Sequence, residues 1–270
     1  MSHMYRLTLE YDGTMFSGWQ VQPTVRTVEG VFRQALAEVT GEHPPITAAG
    51  RTDAGAHAHG QVVGVAVERE WRPEQLVAAL NARLPEDIVT VAGARASRGF
   101  HARFDAERRT YRYMVLSQRR RPAVARKYAW YVGKSLDVDA MRACAALLRG
   151  THDFAGFGRS PREGGTTRRT VHEIAVRTAA HLDPLAPMPS TAVAIEVTAD
   201  AFLYGMMRSI AGALVAVGAG TMSAMDVETL LFDPGQARRR PNVAPAHGLH
   251  QWSVTYPEAA SGRTVIVRNR

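Results

Sequence analysis

The chain has 270 residues, a formal net charge of +8 at pH 7 and a single cysteine, Cys144. One cysteine excludes an internal disulfide and a cysteine-cluster zinc site, and without a run of about 20 apolar residues the sequence predicts no membrane-spanning helix. The positive charge, carried almost wholly by arginine, is typical of proteins that bind nucleic acid. An arginine-rich genome explains the choice of arginine equally well, but it leaves the charge in place. We expect a cytoplasmic protein without a signal peptide, whose native start is Met4.

The first half of the chain alternates predicted strands and helices. Residues 5–11 alternate apolar and polar side chains, as a half-buried strand does. Apolar residues at helical spacing predict a helix over 27–39, with Thr27 as its N-cap and Gly41 at its end. The other predicted elements are strands at 46–49, 61–68 and 88–94, a helix at 73–84, and a glycine-bounded loop at 50–60.

The second half follows a polar crossover over residues 98–109 and repeats a similar order of elements without a close sequence repeat. Strands are predicted at 109–116, 170–178, 192–198 and 248–256, and helices at 139–148, 202–217 and 224–231. Cys144 is expected to be a buried thiol in the first of these helices. Pro184, Pro187 and Pro189 mark a connection, and a tail after Pro257 is expected to be disordered. Hairpin-like strands interleaved with helices favour an α+β fold.

The loop over residues 50–60 concentrates the chemistry of the chain. It holds Arg51, Asp53, His57 and His59 between glycines, which permit tight backbone geometry and close approach of a ligand. Composition alone is also compatible with a plain surface turn in which Asp53 is a turn former. A phosphate-binding loop is less favoured because no Gly-Lys-Ser/Thr follows. A zinc site at His57 and His59 is less favoured still, because no third ligand has suitable spacing.

At this loop the chain resembles the tRNA pseudouridine synthase A (TruA) family, through Gly50-Arg51-Thr52-Asp53-Ala54-Gly55, His57 and Gly60-Gln61-Val62-Val63. The resemblance covers about residues 5–257, and its motifs occur in the family's order. The further matching segments are Tyr11-Asp12-Gly13, Phe16-Ser17-Gly18-Trp19-Gln20, Thr27-Val28-Glu29, Asn81 with Leu84-Pro85 and Asp87-Ile88, Phe100-His101-Ala102-Arg103-Phe104, Tyr111-Arg112-Tyr113, Asp153-Phe154, residues 201–210 and Gly248-Leu249.

The resemblance implies two similar α+β domains, each with an antiparallel sheet and helices on one face in a ferredoxin- or RRM-like arrangement, and an active-site cleft between them. We predict an N-terminal domain over 4–103, a C-terminal domain over 104–257 and a tail over 258–270. The family also implies a homodimer that binds tRNA and needs neither cofactor nor metal. The substrate would be uridines of the anticodon stem-loop, at about positions 38 to 40, reached after the base is flipped out of its stack.

The resemblance also assigns roles to residues. Asp53 is the expected catalytic carboxylate, which attacks ribose C1′ or removes the 2′ proton. Arg208, from the long helix, is expected to pair with Asp53, while Tyr111 and Leu249 are expected to contact the target uracil. Residue types and spacing alone leave Arg208 open as a solvated helix residue and Tyr111 open as a core aromatic.

Arg51 is expected to contact the RNA backbone or the flipped nucleotide, and His101 and Arg103 are further RNA-contact candidates. The arginine runs at 119–121, 168–169 and 238–240 are candidates for phosphate contacts, but each is more typical of a solvated surface. Tyr204-Gly205, Gly156-Phe157-Gly158 and Gly164-Gly165 depart from the family pattern. The competing interpretations are a non-catalytic RNA-binding protein of the same fold and a phosphate-binding metabolic enzyme.

Overall fold

The computed structural model describes residues 2–178, 191–237 and 239–257, together with the backbone of residues 265–266. The predicted proline-rich connection, Arg238 and most of the predicted tail lie outside these residues. The chain divides into two compact units, one formed by residues 1–108 and 251–270 and the other by residues 109–250. Both contain strands and helices, as an α+β protein requires.

The first unit is built on an antiparallel sheet in which β1 (His3–Tyr11) lies between β3 (His57–Val67) and β4 (Ile88–Arg95). β2 (Ile46–Ala48) pairs with β3, and β11 (Val265–Ile266) pairs with β4. Residues 251–255 of β10 (Leu249–Thr255) also belong to this unit.

Side-chain alternation along these strands builds two apolar layers in the first unit. Alternate residues of β1 and β3 pack with α1 (Val28–Thr40) and α2 (Pro73–Asn81). Both helices therefore contribute to one core layer. A smaller cluster containing Val62, Phe100, Ala102 and Tyr256 forms separately. The predicted cap is present, because Thr27 Oγ1 accepts a hydrogen bond from Gly30 N–H and Gly41 adopts the left-handed conformation.

The second unit contains the sheet order β5-β9-β8-β7. These strands are β5 (Arg108–Leu116), β7 (Gly150–Asp153), β8 (Arg168–Thr178) and β9 (Ala192–Ala199), and their pairings are antiparallel. The expectation of a purely antiparallel sheet is wrong at β6 (Trp130–Tyr131), which pairs in parallel with the end of β5. So short a strand leaves no alternation that a sequence pattern could reveal.

The described residues of the second unit also form the α-helices α3 (Val138–Leu147), α4 (Met206–Gly218) and α5 (Ala224–Phe232). α4 is buried around most of its circumference, and Gly218 at its end leaves room for the Met141 side chain of α3. Cys144 is buried in α3 as expected, and burial raises the pKa of its thiol to about 11. A Ser223–Asp226 capping box begins α5. In the part of the chain that the structure describes, no helix has the length and apolar character needed to cross a membrane.

Candidate active site

Asp53 lies in a short irregular segment that ends in a turn at Ala54–Gly55. The predicted loop over 50–60 is wrong in its second half, because β3 already begins at His57. Asp53 itself is half-buried, and the preceding Thr52 is buried with its hydroxyl 2.8 Å from the hydroxyl of Tyr11. Asp53 thus follows the buried Thr52 and precedes β3, which begins four residues later.

Backbone hydrogen bonds, two of them to the segment over residues 16–19, further fix the position of this turn. The hydrogen bonds, each 3.1 Å long, run from Trp19 N–H to the Thr52 carbonyl, from Gly55 N–H to the Phe16 carbonyl, and from Ala56 N–H to the Asp53 carbonyl. Gly18 packs directly beneath the turn with φ of +89°, where an added Cβ would lie 2.9 Å from the Thr52 oxygen and 3.2 Å from the Ala54 nitrogen. The segment containing Gly18 therefore sets the position of the Asp53 backbone.

Two buried glutamines hold the start of the same segment. Gln61 Nε2 donates to the Gly50 carbonyl at 2.8 Å, and Gln61 Oε1 accepts from Gln251 Nε2 at 3.1 Å. Both side chains have no exposed surface. Because buried amides are costly to leave unsatisfied, these bonds strongly favour one conformation at the glycine that leads into Arg51, which is itself exposed.

The two histidines of this region have structural partners. His57 is buried, and its Nδ1 accepts a hydrogen bond from Gly13 N–H at 3.1 Å. Since an accepting nitrogen carries no proton, the 3.2 Å contact between His57 Nδ1 and Asp12 is not an ion pair in the neutral histidine. His59 packs its ring on Trp252, with centroids 4.6 Å apart. Among the described residues, no group of three or more His, Cys, Asp or Glu side chains is placed to hold a metal ion.

His101 and Arg103 lie in one turn of the first unit. His101 Nδ1 accepts from the backbone N–H groups of Arg103 at 3.2 Å and Phe104 at 3.4 Å. Ala102, between them, is buried, and its N–H donates to Thr47 Oγ1 of β2 at 3.2 Å. Arg103 is exposed and His101 is half-buried, so the turn presents both toward solvent while Ala102 anchors it.

Tyr111 lies on β5 of the second unit and is buried against Phe202, with ring centroids 4.8 Å apart in an edge-to-face arrangement. The loop that carries Phe202 is tied to the same strand, because Arg109 Nη1 donates to the Asp200 carbonyl at 2.6 Å. The sequence interpretation missed both Arg109 and Phe202. Each contacts a residue 91 positions away in the sequence, and local sequence patterns do not predict contacts over that separation.

Arg208 lies in the first turn of α4 and bonds to a distant segment of the second unit. Its Nε donates to the Ala244 carbonyl at 2.6 Å, and its own carbonyl accepts from Ala244 N–H at 3.1 Å. One residue further along, the Pro245 carbonyl accepts from the Tyr113 hydroxyl at 2.7 Å. Burial raises the pKa of Tyr113 well above its usual range, opposed by the nearby charge of Arg208, so the hydroxyl remains a donor.

Leu249 is buried at the start of β10 and follows this segment directly. Gly248 before it packs on the Tyr113 ring, because an added Cβ would lie 2.7 Å from Tyr113 Cζ. Tyr111 and Tyr113 are two residues apart on one strand, so their side chains project to the same face. Tyr113 thus contacts the 244–248 segment that bonds to Arg208 and leads to Leu249, and Tyr111 lies on the same face of β5 as Tyr113.

Two of the three departures from the family pattern have local explanations in the second unit. A Cβ at Gly156 would lie 2.2 Å from the Leu230 carbonyl, and one at Gly158 would lie 2.8 Å from Leu203 Cβ. Both glycines therefore permit close packing. Gly205 has φ of +77° and precedes α4, and the exposed Tyr204 pairs its backbone with Arg159. This pairing delays the helix, which begins at Met206 and not at the predicted residue 202.

Comparison with known proteins matches residues 8–105 and 144–257 to the model of a family described as tRNA pseudouridine synthase. The chain is 41% identical over 256 residues to tRNA pseudouridine synthase A of Roseiflexus sp. (strain RS-1), covering 95% of this chain and 92% of that protein. It is 40% identical to the protein of that name from Azorhizobium caulinodans, covering 94% and 95%. The corresponding protein of Caldicellulosiruptor bescii is 36% identical, with coverage of 93% and 98%.

Proposed function

The chain belongs to the tRNA pseudouridine synthase family, and we propose that it isomerises uridine to pseudouridine in the anticodon stem-loop of tRNA, with Asp53 as the essential carboxylate. The observation that carries this proposal is the half-buried Asp53, held by backbone contacts in a segment that the family match covers. A group that must meet one ribose carbon benefits from such a rigid mount.

The reaction requires one carboxylate and a bound base. The bond between ribose C1′ and uracil N1 breaks, the uracil turns, and a bond forms between C1′ and C5. N1 gains a proton, and C5 loses its proton to solvent. Asp53 either attacks C1′ to form a glycosyl ester or removes the 2′ proton, and both routes use the ionised carboxylate. Uracil leaves as a delocalised anion that stays bound, so a separate strong acid is unnecessary.

The target base must leave the stem before Asp53 can act on its ribose. We assign Tyr111 and Leu249 to contact with the flipped uracil, and Arg208 to substrate binding. Support comes from the linked arrangement of these residues in the second unit, where Tyr113 and the 244–248 segment hold Arg208 and Leu249 in fixed positions. Aromatic and aliphatic side chains are suited to contact with a planar base.

Affinity for tRNA is assigned mainly to positive charge. The net charge is +8, Arg51 and Arg103 are exposed in the first unit, and His101 lies in the same turn as Arg103. Contacts of this kind neutralise phosphates and release counterions, so binding should weaken steeply as salt concentration rises. The family relationship further supports two similar α+β domains and a cytoplasmic homodimer. Sedimentation measures the mass of the protein in solution and tests the homodimer.

Mass-spectrometric mapping of pseudouridine in tRNA treated with the protein tests the proposal. We expect pseudouridine in the anticodon stem-loop after treatment with the parent protein. We expect none after treatment with Asp53→Asn. Tight tRNA binding with no pseudouridine from the parent would indicate a non-catalytic RNA-binding protein. If the parent neither binds tRNA nor forms pseudouridine in it, the assignment of tRNA as the substrate is overturned.

A further inference from the structure

Phe104 is an exposed aromatic side chain on a firmly anchored turn. It is 64% exposed, although the two alternate residues before it, Phe100 and Ala102, are buried. The Phe100 ring packs on Tyr256 with centroids 5.2 Å apart, and the Ala102 carbonyl accepts from the Tyr256 hydroxyl at 2.7 Å. The anchored backbone therefore holds the Phe104 ring in solvent, where it exposes apolar surface that folding does not bury.

The surroundings of this ring suit a nucleic acid. The His101 ring lies against it, with centroids 4.2 Å apart and planes inclined by 33°, and the Arg103 guanidinium carbon is 5.9 Å from its centroid. The neighbouring Asp105 carboxylate accepts a hydrogen bond from the backbone N–H of His101 at 2.8 Å. An aromatic ring backed by a second ring and flanked by a guanidinium combines a stacking surface with a phosphate ligand.

Another exposed phenylalanine provides a contrast. Phe232, at the end of α5, is also 64% exposed and also contacts a histidine ring, His152, at 5.6 Å. Its helix contains two acidic residues and no basic residue, and Asp233 follows it. Exposure and a histidine neighbour are thus common to both sites, whereas the Arg103 guanidinium beside Phe104 has no counterpart on α5, whose sequence contains no basic residue.

The turn is also joined to the segment that leads to Asp53. Ala102 N–H donates to Thr47 Oγ1 of β2, and Phe100 and Ala102 pack in one cluster with Ala49. Arg51 and Asp53 follow within four residues of Ala49. The turn with Phe104 and the segment that leads to Arg51 are therefore both anchored at the end of β2.

We propose that Phe104 is a stacking platform for an unpaired base of the bound tRNA, with His101 supporting the ring and Arg103 contacting the adjacent phosphate. The proposal rests on the proposed function, because it takes tRNA as the ligand. Stacking on an aromatic face tolerates any base, so Phe104 contributes affinity without selecting sequence. It lies outside the group of residues assigned to the reacting nucleotide.

The test measures tRNA dissociation constants at one fixed salt concentration for the parent, Phe104→Ala, Phe104→Tyr and Phe232→Ala. Loss of one stacked base should weaken binding by between about fivefold and about 150-fold in Phe104→Ala. Phe104→Tyr keeps the aromatic face and should remain within about twofold of the parent. Phe232→Ala, which removes an equally exposed ring, should bind as the parent does.

Three results would overturn the proposal: parental affinity in Phe104→Ala, an equal loss in Phe232→Ala, or no recovery in Phe104→Tyr. A change in oligomeric state on sedimentation of Phe104→Ala, with tRNA affinity unchanged, would assign the ring to a protein interface instead. Pseudouridine formation by the parent is measured in parallel. If the parent modifies tRNA and Phe104→Ala binds normally, only the stacking proposal fails; if the parent binds tRNA without modifying it, only the proposed activity fails.

Discussion

Arg208 and Ala244 are joined by two hydrogen bonds, one from the Arg208 Nε to the Ala244 carbonyl at 2.6 Å and one from the Ala244 N–H to the Arg208 carbonyl at 3.1 Å. The first bond fixes the guanidinium by its inner nitrogen. Holding Nε at this carbonyl restricts the orientation of the planar guanidinium, which a flexible ammonium cannot reproduce. A lysine at position 208 therefore tests the shape of the side chain separately from its positive charge.

Arg208→Lys should reduce the single-turnover rate on saturating tRNA by at least about tenfold, because lysine keeps the charge but loses the fixed fork. The matched control is Arg239→Lys, since Arg239 is exposed and also donates to a backbone carbonyl, that of Thr221. That variant should retain the parental rate within about twofold. Equal, parental rates in both variants would remove Arg208 from the site.

Gly18→Ala should impair turnover more than binding. Its Cβ would meet the Thr52 oxygen at 2.9 Å, and relief of that contact must shift the Asp53 turn. Gly41→Ala is the control, because Gly41 has a similar φ of +74° but nothing within 4 Å of an added Cβ. Both variants should lose about 1–2 kcal/mol of unfolding free energy through the left-handed backbone. Only Gly18→Ala should also lower the single-turnover rate; a parental rate would show that Gly18 does not set the Asp53 geometry.

Tyr113→Phe tests the support beneath Leu249. Loss of the bond to the Pro245 carbonyl should cost about 1–3 kcal/mol of unfolding free energy at neutral pH. Because burial raises the pKa of Tyr113 in the folded state, the stability that it contributes is complete below the unfolded value of about 10 and falls as pH rises above it. The free energy of unfolding, measured with denaturant from pH 8 to 11, should therefore decline more steeply with pH for the parent than for Tyr113→Phe. Parallel curves would contradict this account of Tyr113.

Local patterns predicted most of the elements, because the signals that start and end them are local. The alternating residues of β1 are buried on one face, and Thr27 and Gly41 bound α1 as expected. β3 was predicted to begin four residues late, since His57 and His59 hide the strand pattern. His57 is buried through a hydrogen bond from Gly13, which only the folded chain brings near.

Long-range contacts account for what the sequence could not predict. The family motifs identified Asp53 and Arg208 as residues of interest, and their roles stay predictions. No local pattern indicated that Gly18 packs beneath the Asp53 turn, that Ala244 bonds to Arg208, or that Gln251 reaches the buried Gln61. These contacts depend on how distant segments pack, and they decide the side-chain positions on which the proposed chemistry depends.

Tritium release from tRNA labelled at uridine C5, compared between the parent and Asp53→Asn, tests the central claim most directly. The substitution keeps the size of the side chain and removes the negative charge that both chemical routes require. We predict that Asp53→Asn releases no measurable tritium, while its tRNA dissociation constant stays within about threefold of the parental value, because phosphate contacts carry the affinity. Release above about a hundredth of the parental rate would contradict the assignment of Asp53 as the essential group.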